Sequence, residues 1–173
     1  MPSSQPKPRT AGGPPLSWRL RLTPTISVVL ASAVTLLPIS PDAPLLPPLG
    51  LMMLLAWRLL RSDIWPLWVG LPLGLVDDLM SGQPVGSAVF LWSAVMLSLD
   101  FIDRRIVWRN FWQDWAIAGA MLAVALLVGG TLARAGGPID LLRLLTPQWL
   151  LATLLMPLAM RLVGSLDAWR RLR

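Results

Sequence analysis

Residues Gly74 to Gly86 read G-L-V-D-D-L-M-S-G-Q-P-V-G, with two adjacent aspartates, Asp77 and Asp78, closing an apolar run. On insertion scales, a carboxylate at the centre of a membrane helix costs roughly 2.5–3.5 kcal/mol. It is tolerated where it has a partner, reaches water or stays protonated. Gly70, Gly74, Asp78 and Gly82 recur every fourth residue and form one stripe on a helix. Small residues at that spacing let a second helix approach closely. The run therefore reads as a packing face that carries a carboxylate and is turned toward protein rather than lipid.

The rest of the chain sets this motif in a hydrophobic background. Of 173 residues, 55% are hydrophobic and 14% are charged. A length of this order suggests one domain, and the apolar runs place it in a bilayer. There is no His, Cys, Tyr or Glu, and Lys7 is the sole lysine. Without cysteine, disulfides and thiolate metal sites are excluded. A net charge of +6 in a soluble protein would suggest nucleic acid. In a membrane protein the same arginines report topology, and no nucleic-acid partner is expected.

Six apolar segments, bounded by Pro, Gly or charge, are predicted as spans at about 24–41, 44–61, 64–80, 84–103, 111–133 and 147–165. Most approach the ~17–25 residues that cross ~30 Å of hydrocarbon. Pro66 and Pro147 suit a first helical turn, where a missing N–H is no loss. Pro72 and Pro157 fall inside spans and are expected to kink them. The tetrapeptide P-L-G-L at Pro48 and again at Pro72 is too short to mark a repeat. Residues 1–20 form a Pro-rich tail, expected to be disordered, cytoplasmic and retained, since residues 1–17 lack the apolar core of a secretory signal. The membrane domain is 21–173.

Counting charge tests this arrangement. With the N-terminus inside, Lys7, Arg9, Arg19 and Arg21 precede the first span. Arg58 and Arg61 flank the second loop, and Arg104, Arg105 and Arg109 the fourth. Arg161, Arg170, Arg171 and Arg173 close the chain. Thirteen of the 15 basic residues are then inside, leaving Arg134 and Arg143 outside. Both termini are expected in the cytoplasm of a multi-pass inner-membrane protein. Trp18, Trp57, Trp65, Trp68, Trp108, Trp112, Trp115 and Trp169 fall near inner span ends and Trp149 near an outer one, as an aromatic belt requires. Trp92 lies mid-span, as a large core side chain or a ligand-stacking platform.

Chemistry has few candidates. A general base or metal ligand would have to be Asp, and a nucleophile an unassisted Ser or Thr. Asp100 precedes Arg104 by four residues, the favourable order for a helical ion pair, and Asp103 joins that charged end. Asp114 suits a helix N-terminus. Asp42, Asp63, Asp140 and Asp167 sit in loops or near termini. Helical neighbours point about 100° apart, so Asp77 and Asp78 cannot both face one metal from a regular helix. S-G-Q-P-V-G reads as a turn with Pro84 opening the next helix, and Asp78 is expected to cap that re-entry by accepting from N–H groups near Val85 to Ser87. Partner or ligand contact, and proton or ion handling, are the alternatives. No cofactor is expected and no catalytic residue is assigned.

The pattern G-L-x-x-D-L-x-S-G-x-P-x-G, carried by Gly74, Leu75, Asp78, Leu79, Ser81, Gly82, Pro84 and Gly86, resembles the rod shape-determining protein MreD family of bacteria. The family's aspartate aligns with Asp78, while Asp77 takes a position that is usually apolar there. Length, six spans and an arginine-rich end fit over roughly residues 20–165, and the Pro-rich tail is a departure. The resemblance implies a non-enzymatic inner-membrane component of the cell-elongation complex, or elongasome, that guides peptidoglycan synthesis and maintains cell shape. Its implied partners are an MreC-like single-span protein and, indirectly, MreB, RodA and a class B penicillin-binding protein. It also implies an all-α fold like that of the substrate-binding components of energy-coupling-factor transporters. The alternative is therefore a vitamin-like small-molecule binding component of a transporter, and a lipid-modifying enzyme comes third. Gly70, Gly74, Asp77, Asp78, Gly82, Pro84 and Gly86 are the structural or partner-interface candidates.

Overall fold

A computed structural model describes residues 18–36, 46–81, 84–105, 110–133 and 138–171. The tail before Trp18, Asp42, Gly82, Trp108, Arg109, Arg134 and Arg173 lie outside the described residues. Helices, and among the described residues no strands, make up the architecture. They are α1 (Trp18–Ala33), extended by a 3-10 turn at Val34–Leu36, α2 (Leu49–Leu60), α3 (Gly70–Ser81), entered through a 3-10 turn at Leu67–Val69, α4 (Ser87–Arg105), α5 (Phe111–Ala133) and α6 (Pro138–Arg171).

The segments Phe111–Leu132 and Leu145–Trp169 are long and apolar enough to cross a membrane. The segments expected at 44–61 and 64–80 are shorter as helices. At 1.5 Å per residue, the 12 residues of α2 and the 12 of α3 extend about 18 Å each. Their missing turns are used up by proline. Pro48 precedes α2, and Pro66 opens the 3-10 turn before α3. Pro72 stands in the first turn of α3, where it breaks no helical bond, so the kink expected there has no cause. Pro147 departs in the opposite direction: α6 begins at Pro138 and carries both Pro147 and Pro157 in its interior.

Helix α2 is the centre of the bundle. Its residues from Gly50 through Arg58 are buried on every side, chiefly by α1, α6 and α5. A helix that is apolar all round has no solvent face to offer, and Leu54, Leu55, Ala56 and Trp57 are fully covered. Trp57 is thus a core residue and not an interfacial anchor: its indole Nε1 donates to Ser27 Oγ of α1 at 2.8 Å. Two more tryptophans assigned to the belt fasten α5 to α6. Trp115 Nε1 donates to the Thr153 carbonyl and Trp149 Nε1 to the Gly119 carbonyl, both at 2.9 Å. Trp68, Trp112 and Trp169 do stand exposed.

Charges gather at one end. Arg58 is 4% exposed, with Nη1 2.8 Å from Asp103 Oδ2 and Nη2 3.8 Å from Asp100 Oδ1 of α4. The closer contact is an ion pair by distance, without the alignment of a hydrogen bond. Arg104 closes on Asp100 at 2.8 Å in the expected i,i+4 pair. Arg61 reaches Asp167 of α6 at 3.5 Å. Asp167, which the sequence leaves in an unremarkable terminal segment, is buried. Arg58→Met keeps the apolar stem and removes the charge. Its expected loss of stability lies below the ~3–5 kcal/mol of a fully buried broken pair, because Asp100 and Asp103 retain access to water. Thermal melting in detergent checks this, with Asp103→Asn expected to cost more than Asp100→Asn.

Candidate functional site: the α3–α4 re-entry

At the end of the bundle opposite the arginines, α3 turns back into α4, and these two helices form the most extensive pairing in the fold. The turn is set by Pro84 and Gly86. Ser87 N–H bonds the Pro84 carbonyl at 3.1 Å, and Gly86 takes φ +104°, a conformation that L side chains rarely adopt. Space is not what demands glycine there, since a Cβ at Gly86 would meet nothing. The backbone angle demands it.

The first N–H groups of α4 have no intrahelical acceptor, and the Asp78 carboxylate supplies one. Oδ2 accepts from Gly86 N–H at 2.7 Å and, at a long 3.4 Å, from Val89 N–H. Oδ1 accepts from Ala88 N–H at 2.8 Å and from the Ser87 hydroxyl at 3.0 Å. Asp78 is the expected acceptor. Of its N–H donors, Gly86 lies within the expected Val85 to Ser87, Ala88 and Val89 lie one and two residues beyond it, and Ser87 donates through its hydroxyl. Asp78 is 1% exposed. A carboxylate shared by several donors next to a helix N-terminus is the arrangement in which a buried charge is stabilised without a counter-cation.

Glycines make the approach possible. A Cβ at Gly74 would stand 2.7 Å from the Ala88 carbonyl oxygen and Val89 Cα, and one at Gly70 would stand 3.1 Å from Ser93 N and Cα. Both glycines therefore face the α4 backbone within the bundle. Gly82, the last member of the stripe, lies outside the described residues.

Asp77 points elsewhere, as the 100° step requires. The Ser32 hydroxyl of α1 hydrogen-bonds it. Gly50 of α2 is the floor of this contact: a Cβ there would overlap Ser32 Oγ and stand 3.1 Å from Asp77 Oδ1. Ser32 and Gly50 escape a sequence reading. The one signal was the repeated P-L-G-L, since Gly50 and Gly74 are the two glycines it contains. Past Asp77 opens a cavity of about 340 Å³ between the N-terminal ends of α2 and α4, the C-terminal end of α5 and α6, lined also by Trp92, Gln148 and Gly129. Trp92 is 2% exposed, a core side chain with a face on this space. Gln148 Nε2 donates to the Leu46 carbonyl.

Among the described residues no three His, Cys, Asp or Glu side chains are grouped so that they could hold a metal. The chain matches no family model, no curated protein and no solved structure.

Proposed function

We propose that this chain is a multi-pass inner-membrane scaffold of the bacterial cell-elongation complex. It associates with an MreC-like single-span protein and through it with MreB, RodA and a class B penicillin-binding protein. The observation that carries this reading is the use made of the motif. Its aspartate, Asp78, is engaged by Gly86, Ser87, Ala88 and Val89 in holding the re-entry, and its Gly74 admits the α4 backbone. A motif devoted to joining two helices suits a protein whose product is an assembly rather than a reaction. The same resemblance, over Gly74 to Gly86, supplies the identity of that assembly.

Bilayer residence draws on the outward faces. Leu22, Ile26 and Leu30 on α1, Leu71, Leu75 and Leu79 on α3, and Leu150, Leu154, Leu158 and Leu162 on α6 stand exposed at four-residue spacing. In water such stripes would be an aggregation surface, whereas hydrocarbon is their matching solvent. The short α2 and α3 are compatible with six passes because irregular backbone at membrane depth is tolerated when protein covers it. Ile64 and Trp65, in the link between these two helices, are buried.

Two measurements test the reading. Reporter fusions after Arg173 and within the 104–109 loop are expected to report cytoplasm, and one at Gly136–Gly137 periplasm. A periplasmic C-terminal fusion would make the number of passes odd. Depletion in the host bacterium is expected to turn rods into rounded cells, and the wild-type chain should restore them. Cells that keep their cylinder would sink the elongation role.

A further inference from the structure

We propose that the cavity beside Asp77 is a binding site for a small organic ammonium ion with an apolar body. This goes beyond the scaffold role and stands independently of it. The cavity's about 340 Å³ is at the low end of the volumes that hold small ligands, and its described lining contains one carboxylate and no basic side chain. Ser32 donates one hydrogen bond to Asp77, which leaves lone pairs on a two-oxygen acceptor. Gln148 spends an amide hydrogen on the Leu46 carbonyl at 2.6 Å, so its own carbonyl oxygen is the end left for a ligand. Both polar groups thus ask for donors, and one of them asks for positive charge.

The remaining walls select the body of the ligand. Leu51, Leu91 and Leu126 are apolar, and the indole of Trp92 can take either an apolar ring or a cation on its face. Gly129 and Gly130 leave the part of the α5 wall beyond Leu126 without side chains. A divalent metal does not fit, because a hard cation wants six or more oxygens, and Asp77 is the only carboxylate in the described lining. An anion would meet the Asp77 charge. An ammonium on a compact apolar frame satisfies every wall. Asp77 therefore has two duties: it ties α3 to α1 through Ser32, and it presents the remaining acceptor to the cavity.

The test uses the full chain in lipid nanodiscs, with benzylammonium, benzyl alcohol and benzoate as probes of one shape and three charges. Tryptophan fluorescence and thermal melting read binding. Benzylammonium is expected to bind at least tenfold more tightly than benzyl alcohol, and benzoate not at all. Asp77→Asn keeps an acceptor for Ser32 and should shrink the preference to less than twofold without lowering the melting point of the free protein by much. Should Asp77→Asn fail to fold, Gly129→Leu fills the cavity with all charges kept and should abolish binding of both probes that bind. Asp63→Asn, an exposed carboxylate outside the cavity, should change nothing. Equal affinity for the ammonium and the alcohol, or a preference that survives Asp77→Asn or Gly129→Leu, would overturn the proposal.

Discussion

Asp78→Ala is expected to destabilise the protein on the order of 3 kcal/mol, more than any other single polar substitution at the re-entry. The reason is that one side chain serves several donors. Gly86 N–H, Ala88 N–H and the Ser87 hydroxyl bond it at 2.7–3.0 Å, and a sequestered donor left unmet costs ~1–3 kcal/mol. The Ala88 bond is buried, whereas the Gly86 and Ser87 bonds are partly open to solvent, so the full sum is not reached. Asp78→Asn keeps one acceptor oxygen and is expected to fall between. Asp77→Ala loses the hydrogen bond from Ser32 and should be milder. Protein level in membranes and melting in detergent measure the order, Asp78→Ala worst, then Asp78→Asn, then Asp77→Ala. Equal tolerance of Asp77→Ala and Asp78→Ala would remove the carboxylate as the brace of the turn.

Gly74→Leu is expected to be as severe for an opposite reason, too much matter instead of too little bonding. Its Cβ alone would lie 2.7 Å from the Ala88 carbonyl oxygen and Val89 Cα. Those atoms are backbone, so no side chain can swing aside. Overpacking typically costs ~1–3 kcal/mol and more where backbone must move. Gly70→Ala, with its nearest atoms at 3.1 Å, should be tolerated better than Gly74→Ala. Because Ala88 and Val89 are also the residues bonded to Asp78, the two sites share one turn of α4. Their losses should not add: the double variant Gly74→Leu/Asp78→Ala is expected to lose less than the sum of the two. Under the proposed membrane role, Gly74→Leu should still insert, since it makes the segment more apolar, and any loss of the proposed single-span partner should accompany the loss of stability. A variant that inserts, melts normally and keeps its partner would show that α3 and α4 do not meet as described.

How much of this was written in the sequence depends on the range of the interaction. Asp78, Pro84 and Gly86 act within about a dozen residues, and the motif's spacing announces both the turn and its cap. The Asp100–Arg104 pair is local too, and it forms. Arg58, Gly50 and Asp167 are different. Each is defined by a helix that arrives from elsewhere: α4 for Arg58, α1 and α3 for Gly50, the end of α2 for Asp167. Hydropathy registers how apolar a segment is but not which segment it will meet, so it overestimated the reach of α2 and α3. It also treated Trp57, Trp115 and Trp149 as belt residues, when their indole N–H groups fasten one helix to another.

The burial of α2 on every side has a consequence for the order in which the molecule can be made. Its flanks are closed by α1, which is synthesised before it, and by α5 and α6, which follow much later. A bond such as Gln148 Nε2 to the Leu46 carbonyl joins residues 102 positions apart. While the ribosome is still extending the chain, α2 is a short helix with α1 as its main companion, and its Leu54, Leu55 and Met53 lack the cover that α5 and α6 later give. Only the arrival of the last helix encloses them. Burial at the middle of the bundle is therefore completed last, and a chain halted before α6 leaves the side of α2 that faces α6 uncovered.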